Sequence, residues 1–250
     1  MSIQLEFVGH ACFRLWENGK PVIVTDPFGH TICQMEDDGF RLDAETIIAS
    51  SLTDPAHDNV ELVRGQPQVI NALDVATGKT AATINGEPLV TIAAREVEDH
   101  HMHDPMDNAL YAFKAGGLWF AHLGDLGYGL DAEDLAPLAG KCDVMLAITG
   151  EELTLTLDDL DKMIEILSPT WIIPMHYGLP PLAGANGGGM TPVDAFLNRH
   201  PQSPVFVVRH HTVTFPLPKS ETEHPAIIVL EPSAYRPTGG VLEFAAEKLE

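Results

Sequence analysis

The sequence predicts one α+β domain with many strands and few helices, and three observations carry that prediction. Apolar or alternating runs of strand length recur from end to end, bounded by turn-forming pairs. A single segment shows sustained helical periodicity. No repeat on the roughly 20–50-residue scale of solenoids and no low-complexity linker divides the chain.

The elements follow in order. Ile3–Phe7, Cys12–Leu15 and Val22–Thr25 read as a strand meander, with Glu17-Asn18-Gly19-Lys20 turning between the last two. Thr46–Ala49, Gln68–Ile70, Thr80–Ile84, Leu89–Ala94, Ala109–Phe113 and Leu118–Ala121 continue the strands, and Asn85-Gly86 and Gly116-Gly117 are hairpin-type turns. Val144–Ile148, Trp171–Pro174, Val205–Val208 and Thr212–Phe215 supply the rest. The helix is Leu157–Leu167: Leu157, Leu160, Met163, Ile164 and Leu167 share one face, and Thr156 with Asp159 makes a capping box. Shorter helices are predicted at Val60–Arg64, Ala132–Leu138 and Val193–Asn198. Gly184–Gly189 is too glycine-rich for regular structure and reads as a loop or lid. After Pro218, an acidic stretch leads to the strand-like Ala226–Leu230. Residues 218–250 are a C-terminal extension that either finishes the domain or reaches a partner subunit.

Composition narrows the function. With 36 acidic and 14 basic residues the formal charge of this 250-residue chain is −22. Phosphate-backbone binding needs clustered Lys and Arg, so nucleic acid is excluded as a general partner, and anionic membrane surfaces are disfavoured. No basic leader with an apolar run follows the N-terminus, and no apolar run approaches membrane-spanning length. Cys12, Cys33 and Cys142 are odd in number and far apart, which fits reduced thiols and a cytoplasmic location.

Twelve histidines against 14 Lys and Arg point to metal chemistry. His122 follows the run Leu118–Ala121, with Gly124-Asp125 next. His176 follows Trp171–Pro174. His57 lies in a polar loop after Thr46–Ala49, and His100, His101 and His103 cluster before Ala109–Phe113. Strand ends are where rigid sheets present ligands, and imidazole with carboxylate suits zinc, iron, nickel or manganese. No local motif links these positions, so spacing alone stops at a candidate metal site.

Read together, five segments resemble the metallo-β-lactamase superfamily, in the branch of L-ascorbate-6-phosphate lactonase and related metal-dependent hydrolases. They are Gly9-His10-Ala11-Cys12-Phe13, Asp26-Pro27-Phe28, His103-Asp104 with Asn108, His122-Leu123-Gly124-Asp125-Leu126-Gly127, and Pro174-Met175-His176-Tyr177-Gly178. The resemblance runs from about Ile3 to Phe215 and implies a four-layer αββα sandwich. The family's signature loop, His-x-His-x-Asp-His, departs here to Leu52-Thr53-Asp54-Pro55-Ala56-His57. Leu52 and Asp54 replace the first two histidines, Ala56 replaces the aspartate, and His57 remains.

The resemblance therefore implies a reduced centre. His57, Asp125 and His176, with His103 nearby, are the retained ligands and suffice for one divalent ion, and His101 is the fallback for His103. Zn2+ is the first choice, with Mn2+ or Fe2+ as alternatives. Asp54 is the candidate general base and His10 a candidate hydrogen-bond donor to substrate. Asp26, His122 and Asp104 are expected to orient ligands or backbone.

The implied activity is hydrolysis of a small-molecule ester, lactone or amide by a metal-activated water. Only Arg95, Arg209 and Lys114 lie near the ligand segments, without clustering, which favours a neutral or weakly polar substrate over a phosphorylated one. The alternative is a binding protein that keeps the scaffold and has lost the metal. A homo-oligomer using the C-terminal extension is a further expectation.

Overall fold

The computed structural model describes residues 2–29, 39–100, 103–179, 190–217 and 223–234. Cys33, His101 and Gly184–Gly189 lie outside the described residues.

The strands are β1 (Ile3–Gly9), β2 (Cys12–Glu17), β3 (Lys20–Thr25), β4 (Leu42–Asp43), β5 (Thr46–Ala49), β6 (Val63–Arg64), β7 (Gln68–Asn71), β8 (Thr83–Ile84), β9 (Glu87–Pro88), β10 (Val90–Arg95), β11 (Asp107–Ala115), β12 (Leu118–His122), β13 (Val144–Ile148), β14 (Trp171–Met175), β15 (Val205–Val208), β16 (Thr212–Phe215) and β17 (Ala226–Leu230). The helices are α1 (Ala72–Ala76), α2 (Leu157–Leu167) and α3 (Val193–Arg199). No described helix is long and apolar enough to cross a membrane.

Two large sheets dominate, one ordered β16-β1-β2-β3-β5-β7 and the other β10-β11-β12-β13-β14-β17-β15. The pleat explains their packing, because successive residues face opposite ways. Leu5, Phe7, Phe13, Leu15, Ile23 and Ile48 face the core shared with the second sheet, while their neighbours Val8, Cys12, Val24 and Ile47 join a smaller cluster with Phe28, Leu42 and Leu62. In the second sheet every residue of β13 is buried, as expected for an interior parallel strand.

Helix α2 forms where predicted. Thr156 accepts a hydrogen bond from Asp159 N, and Leu157, Leu160, Met163, Ile164 and Leu167 are its buried face. Val60–Arg64 corrects the prediction of a short helix: Val60–Leu62 is one 3-10 turn and Val63–Arg64 is β6. Of Ala132–Leu138 only Ala136–Leu138 is helical, again as a 3-10 turn. In the predicted strand Thr80–Ile84, only Thr83–Ile84 pairs, turning through Asn85-Gly86 into β9. Ala226–Leu230, expected within a C-terminal extension, is interior: β17 pairs in parallel with β14 and β15 and all five residues are buried.

Strand direction places the site. Strands β3, β5 and β7 are parallel, and β1 is antiparallel to β2, itself antiparallel to β3, so β1, β3 and β5 all end at one edge. By the same logic β10, β12, β13 and β14 end together in the second sheet, beside the start of β11. His176 N donates to His10 O (2.8 Å), and the Tyr111 hydroxyl on β11 donates to Asp26 Oδ1 after β3 (2.8 Å). These bonds join the two edges.

Candidate metal centre

Each side chain of the centre sits where a strand stops. His10 lies at the β1–β2 turn, Asp26 follows β3, Asp54 and His57 lie on the loop after β5, Asp125 follows β12 and His176 follows β14. His10, Asp26 and His176 have φ values of 55°, 36° and 53°. Non-glycine residues reach that left-handed region at a cost of about 1–3 kcal/mol, which the surrounding structure must supply. Gly124 has φ +61°, and a Cβ there would lie 2.6 Å from Ala109 O. A Cβ on Gly150 would collide with the His176 carbonyl.

His57 is the hub. Its side chain is fully buried, and Nδ1 donates to Asp26 Oδ2 at 2.8 Å. Asp26 also accepts from Ser50 N (2.8 Å) and the Tyr111 hydroxyl at Oδ1. With Nδ1 committed, His57 Nε2 faces inward, 3.6 Å from Asp125 Oδ2 and 3.8 Å from Asp54 Oδ2. His176 Nε2 lies 3.4 Å from Asp125 Oδ1. The His10 ring centroid is 4.0 Å from that of His176 and 5.0 Å from that of His57.

Those separations decide what the cluster is. They are too long for hydrogen bonds. Two ligands each about 2.1 Å from one tetrahedral ion lie about 3.4 Å apart, close to the spacing found. Five buried atoms here have no hydrogen-bond partner: His10 Nε2, Asp54 Oδ2, His57 Nε2, Asp125 Oδ1 and His176 Nδ1. Orphaned polar atoms in a protein interior are rare and costly. His10, His57 and His176 form one group whose donor atoms lie within 4.8 Å of one another, and Asp54, His57 and Asp125 form a second such group. Among the described residues no Lys or Arg pairs with Asp26, Asp54 or Asp125. The residues fit a divalent cation, with His57 as the shared donor.

The electrostatics agree. Burial disfavours the His57 imidazolium, but Asp54, the Asp26 hydrogen bond and Asp125 outweigh it and raise its pKa to about 10. Burial, reinforced by His57, lowers His176 to about 3, and burial with His176 and His57 holds His10 well below its ordinary value. Burial pushes Asp26 up, yet His122 and the His57 hydrogen bond bring it down to about 2. Asp26 is thus a carboxylate fixing one ring nitrogen of a candidate ligand, the carboxylate–histidine arrangement of metal sites.

The predicted residues separate into groups. His57 and His176 each approach Asp125, at 3.6 and 3.4 Å, and His10 and Asp54 belong to the two donor groups that share His57. His10, expected as a donor to substrate, packs among the imidazoles with Nε2 buried and unpartnered. Ala56 N donates to Asp54 Oδ1 (2.9 Å), which leaves Oδ2 for the centre. His122 binds backbone at both nitrogens: Nε2 donates to Ala11 O (2.8 Å), and Gly124 N donates to Nδ1 (3.0 Å). Asn108 Nδ2 donates to Asp125 O (2.8 Å). His103 falls elsewhere. It groups with Glu96 and His100 and is 41% exposed.

Glu96 had no motif to mark it. It follows β10, is 1% exposed, and accepts from Met106 N (2.9 Å). Burial raises its pKa and Asp54 adds to the rise.

Comparison with known proteins agrees with this geometry. The chain is 28% identical over 199 residues to a UPF0173 metal-dependent hydrolase of Pyrococcus furiosus, covering 72% of this chain and 88% of that protein. It is similar to a Thermotoga maritima structure described as a candidate Zn-dependent hydrolase of the metallo-beta-lactamase superfamily: 25% identity, TM-score 0.65, covering 91% of this chain and 98% of that one. Igni18, a metallo hydrolase from Ignicoccus hospitalis, shares the fold at 18% identity and TM-score 0.58, covering 87% of this chain and 100% of its own. The family model for the beta-lactamase superfamily domain matches residues 4–176, and the chain belongs to that superfamily.

Proposed function

We propose that this chain is a metal-dependent hydrolase of a small, neutral or weakly polar ester, lactone or amide, working at one divalent ion held by His57, Asp125 and His176, with His10 beside them. The observation that carries this reading is two sets of buried donor atoms sharing His57, His10–His57–His176 and Asp54–His57–Asp125, each set within 4.8 Å, with no Lys or Arg pairing with the acids among the described residues. The metal-dependent relatives support it.

A divalent ion there supplies carbonyl polarisation and lowers the pKa of water from about 15.7 towards about 7. The chain's own residues do the rest. Asp26 holds His57 through Nδ1, so the proton given up on metal binding would be the one on Nε2, which frees that lone pair for the ion. Asp54 is pinned through Oδ1, and its Oδ2 is placed to take a proton from the attacking water and pass it to the leaving oxygen or nitrogen. It fills the role that the family gives to the aspartate replaced here by Ala56. Zn2+ is the proposed metal, since three imidazoles and a carboxylate suit it, with Mn2+ or Fe2+ as alternatives.

The experiment is metal analysis of the purified chain after loading with Zn2+ and dialysis, beside turnover of an aryl ester and lactone panel. Tight zinc and zinc-dependent turnover support the reading. A folded chain that holds no divalent metal after loading refutes it and favours the binding-protein alternative.

A further inference from the structure

We propose that Glu96, His100 and His103 form a second divalent-cation site beside the His57 centre, built from residues outside the signature loop. The inference rests on the proposed function, because it adds a cation next to the one that does the chemistry.

The placement follows from the β10–β11 hairpin. Glu96 follows β10 directly, and its N donates to Met106 O (3.1 Å) while its Oε2 accepts from Met106 N (2.9 Å). This clamp closes the loop that carries both histidines and fixes a carboxylate that is 1% exposed. The His100 and His103 ring centroids are 3.8 Å apart. His103 Nδ1 lies 3.6 Å from Glu96 Oε2 and 3.1 Å from the Asp104 carbonyl oxygen. The three side chains each offer a donor atom, all within 4.8 Å of one another.

Charge supplies the second argument. Asp54 raises the Glu96 pKa and Glu96 raises that of Asp125, so the three carboxylates repel one another. Among the described residues only His103 pairs with Glu96. A buried carboxylate beside two others is costly without a cation. One ion at the His57 centre is answered by Asp54 and Asp125, which leaves Glu96 to a second. Two imidazoles and one carboxylate suit Zn2+, Mn2+ or Fe2+, with positions left for water. Leu52 has no donor and Asp54 faces His57, so the signature loop cannot make this site; the hairpin does.

The test is equilibrium dialysis of the full chain against Zn2+, with stoichiometry read by elemental analysis. Wild type should bind two ions per chain, and E96Q and H103A should each bind one fewer. E96Q keeps an acceptor for Met106 N. Should it fail to fold, H103A alters a partly exposed side chain and keeps the test alive. Wild type binding one ion, with E96Q and H103A unchanged, overturns the proposal and leaves the His57 centre standing. Equal stoichiometry in wild type and both variants overturns it at any count. Loss of an ion in E96Q and H103A but none in H57A supports this site and refutes the His57 centre, so the two failures are distinct.

Discussion

His57 Nδ1 lies 2.8 Å from Asp26 Oδ2, with both side chains completely buried. Asp26 closes the first sheet at β3, reaches the loop after β5 through Ser50 N, and reaches the second sheet through Tyr111. One carboxylate thus fixes both the join between the sheets and the orientation of the central imidazole. D26N should weaken metal binding about 10- to 100-fold, the usual effect of removing such a partner. It should also cost about 3–5 kcal/mol, because it breaks a buried charged pair. Zinc titration and urea unfolding of the same sample check both numbers.

Tyr111 tests the join alone. Its hydroxyl donates to Asp26 Oδ1, and its ring stacks on His122 with centroids 4.8 Å apart. Y111F keeps the ring and deletes one bond to a charged acceptor, worth about 1.5–3 kcal/mol. Denaturant midpoints should fall accordingly while zinc stoichiometry is unchanged. A loss of bound metal in Y111F would show that this contact belongs to the centre itself.

Asp54 separates chemistry from binding. Its Oδ1 is held by Ala56 N, and its Oδ2 stands 3.8 Å from His57 Nε2. D54N should keep the ion at the His57 centre and lose about 100- to 10,000-fold in kcat, the contribution of a positioned general base. Steady-state kinetics beside metal analysis decides it. Metal loss without a separate kcat effect would make Asp54 a ligand.

Gly124 positions Asp125. At φ +61°, with Ala109 O 2.6 Å from the place of a Cβ, no side chain fits without moving backbone. G124A should cost about 1–3 kcal/mol. It should also loosen metal binding, since Asp125 is next in the chain. Differential scanning calorimetry with and without zinc reads both effects.

Local signals were the legible ones. Helix α2 carries its own cap and a five-residue apolar stripe, so it needs no tertiary knowledge. Strands β13, β15, β16 and β17 stand as apolar or alternating runs between turn residues, and their limits match the sequence reading. Val60–Arg64 misled because five residues cannot distinguish a helix from a 3-10 turn running into a bridge strand. Helix α1 went unseen for the same reason: it is one short turn begun directly off β7 by the Asn71 side chain. Ala226–Leu230 is plainly strand-like, but its place between β14 and β15 is a matter of distant pairing that no local pattern records.

The site divides in the same way. His57, Asp125 and His176 were visible through strand ends and through resemblance. The inward position of His10 depends on its positive φ at the β1–β2 turn. Glu96 is a single acid after a strand, and only the register of the β10–β11 hairpin buries it.

The central claim is that His57 and His176 hold a divalent ion. The most direct measurement is zinc content per chain in wild type, H57A and H176A, each loaded with Zn2+, dialysed and shown folded by circular dichroism. The account predicts at least one ion fewer per chain in both variants than in wild type. Full wild-type zinc content in a folded H57A would contradict it.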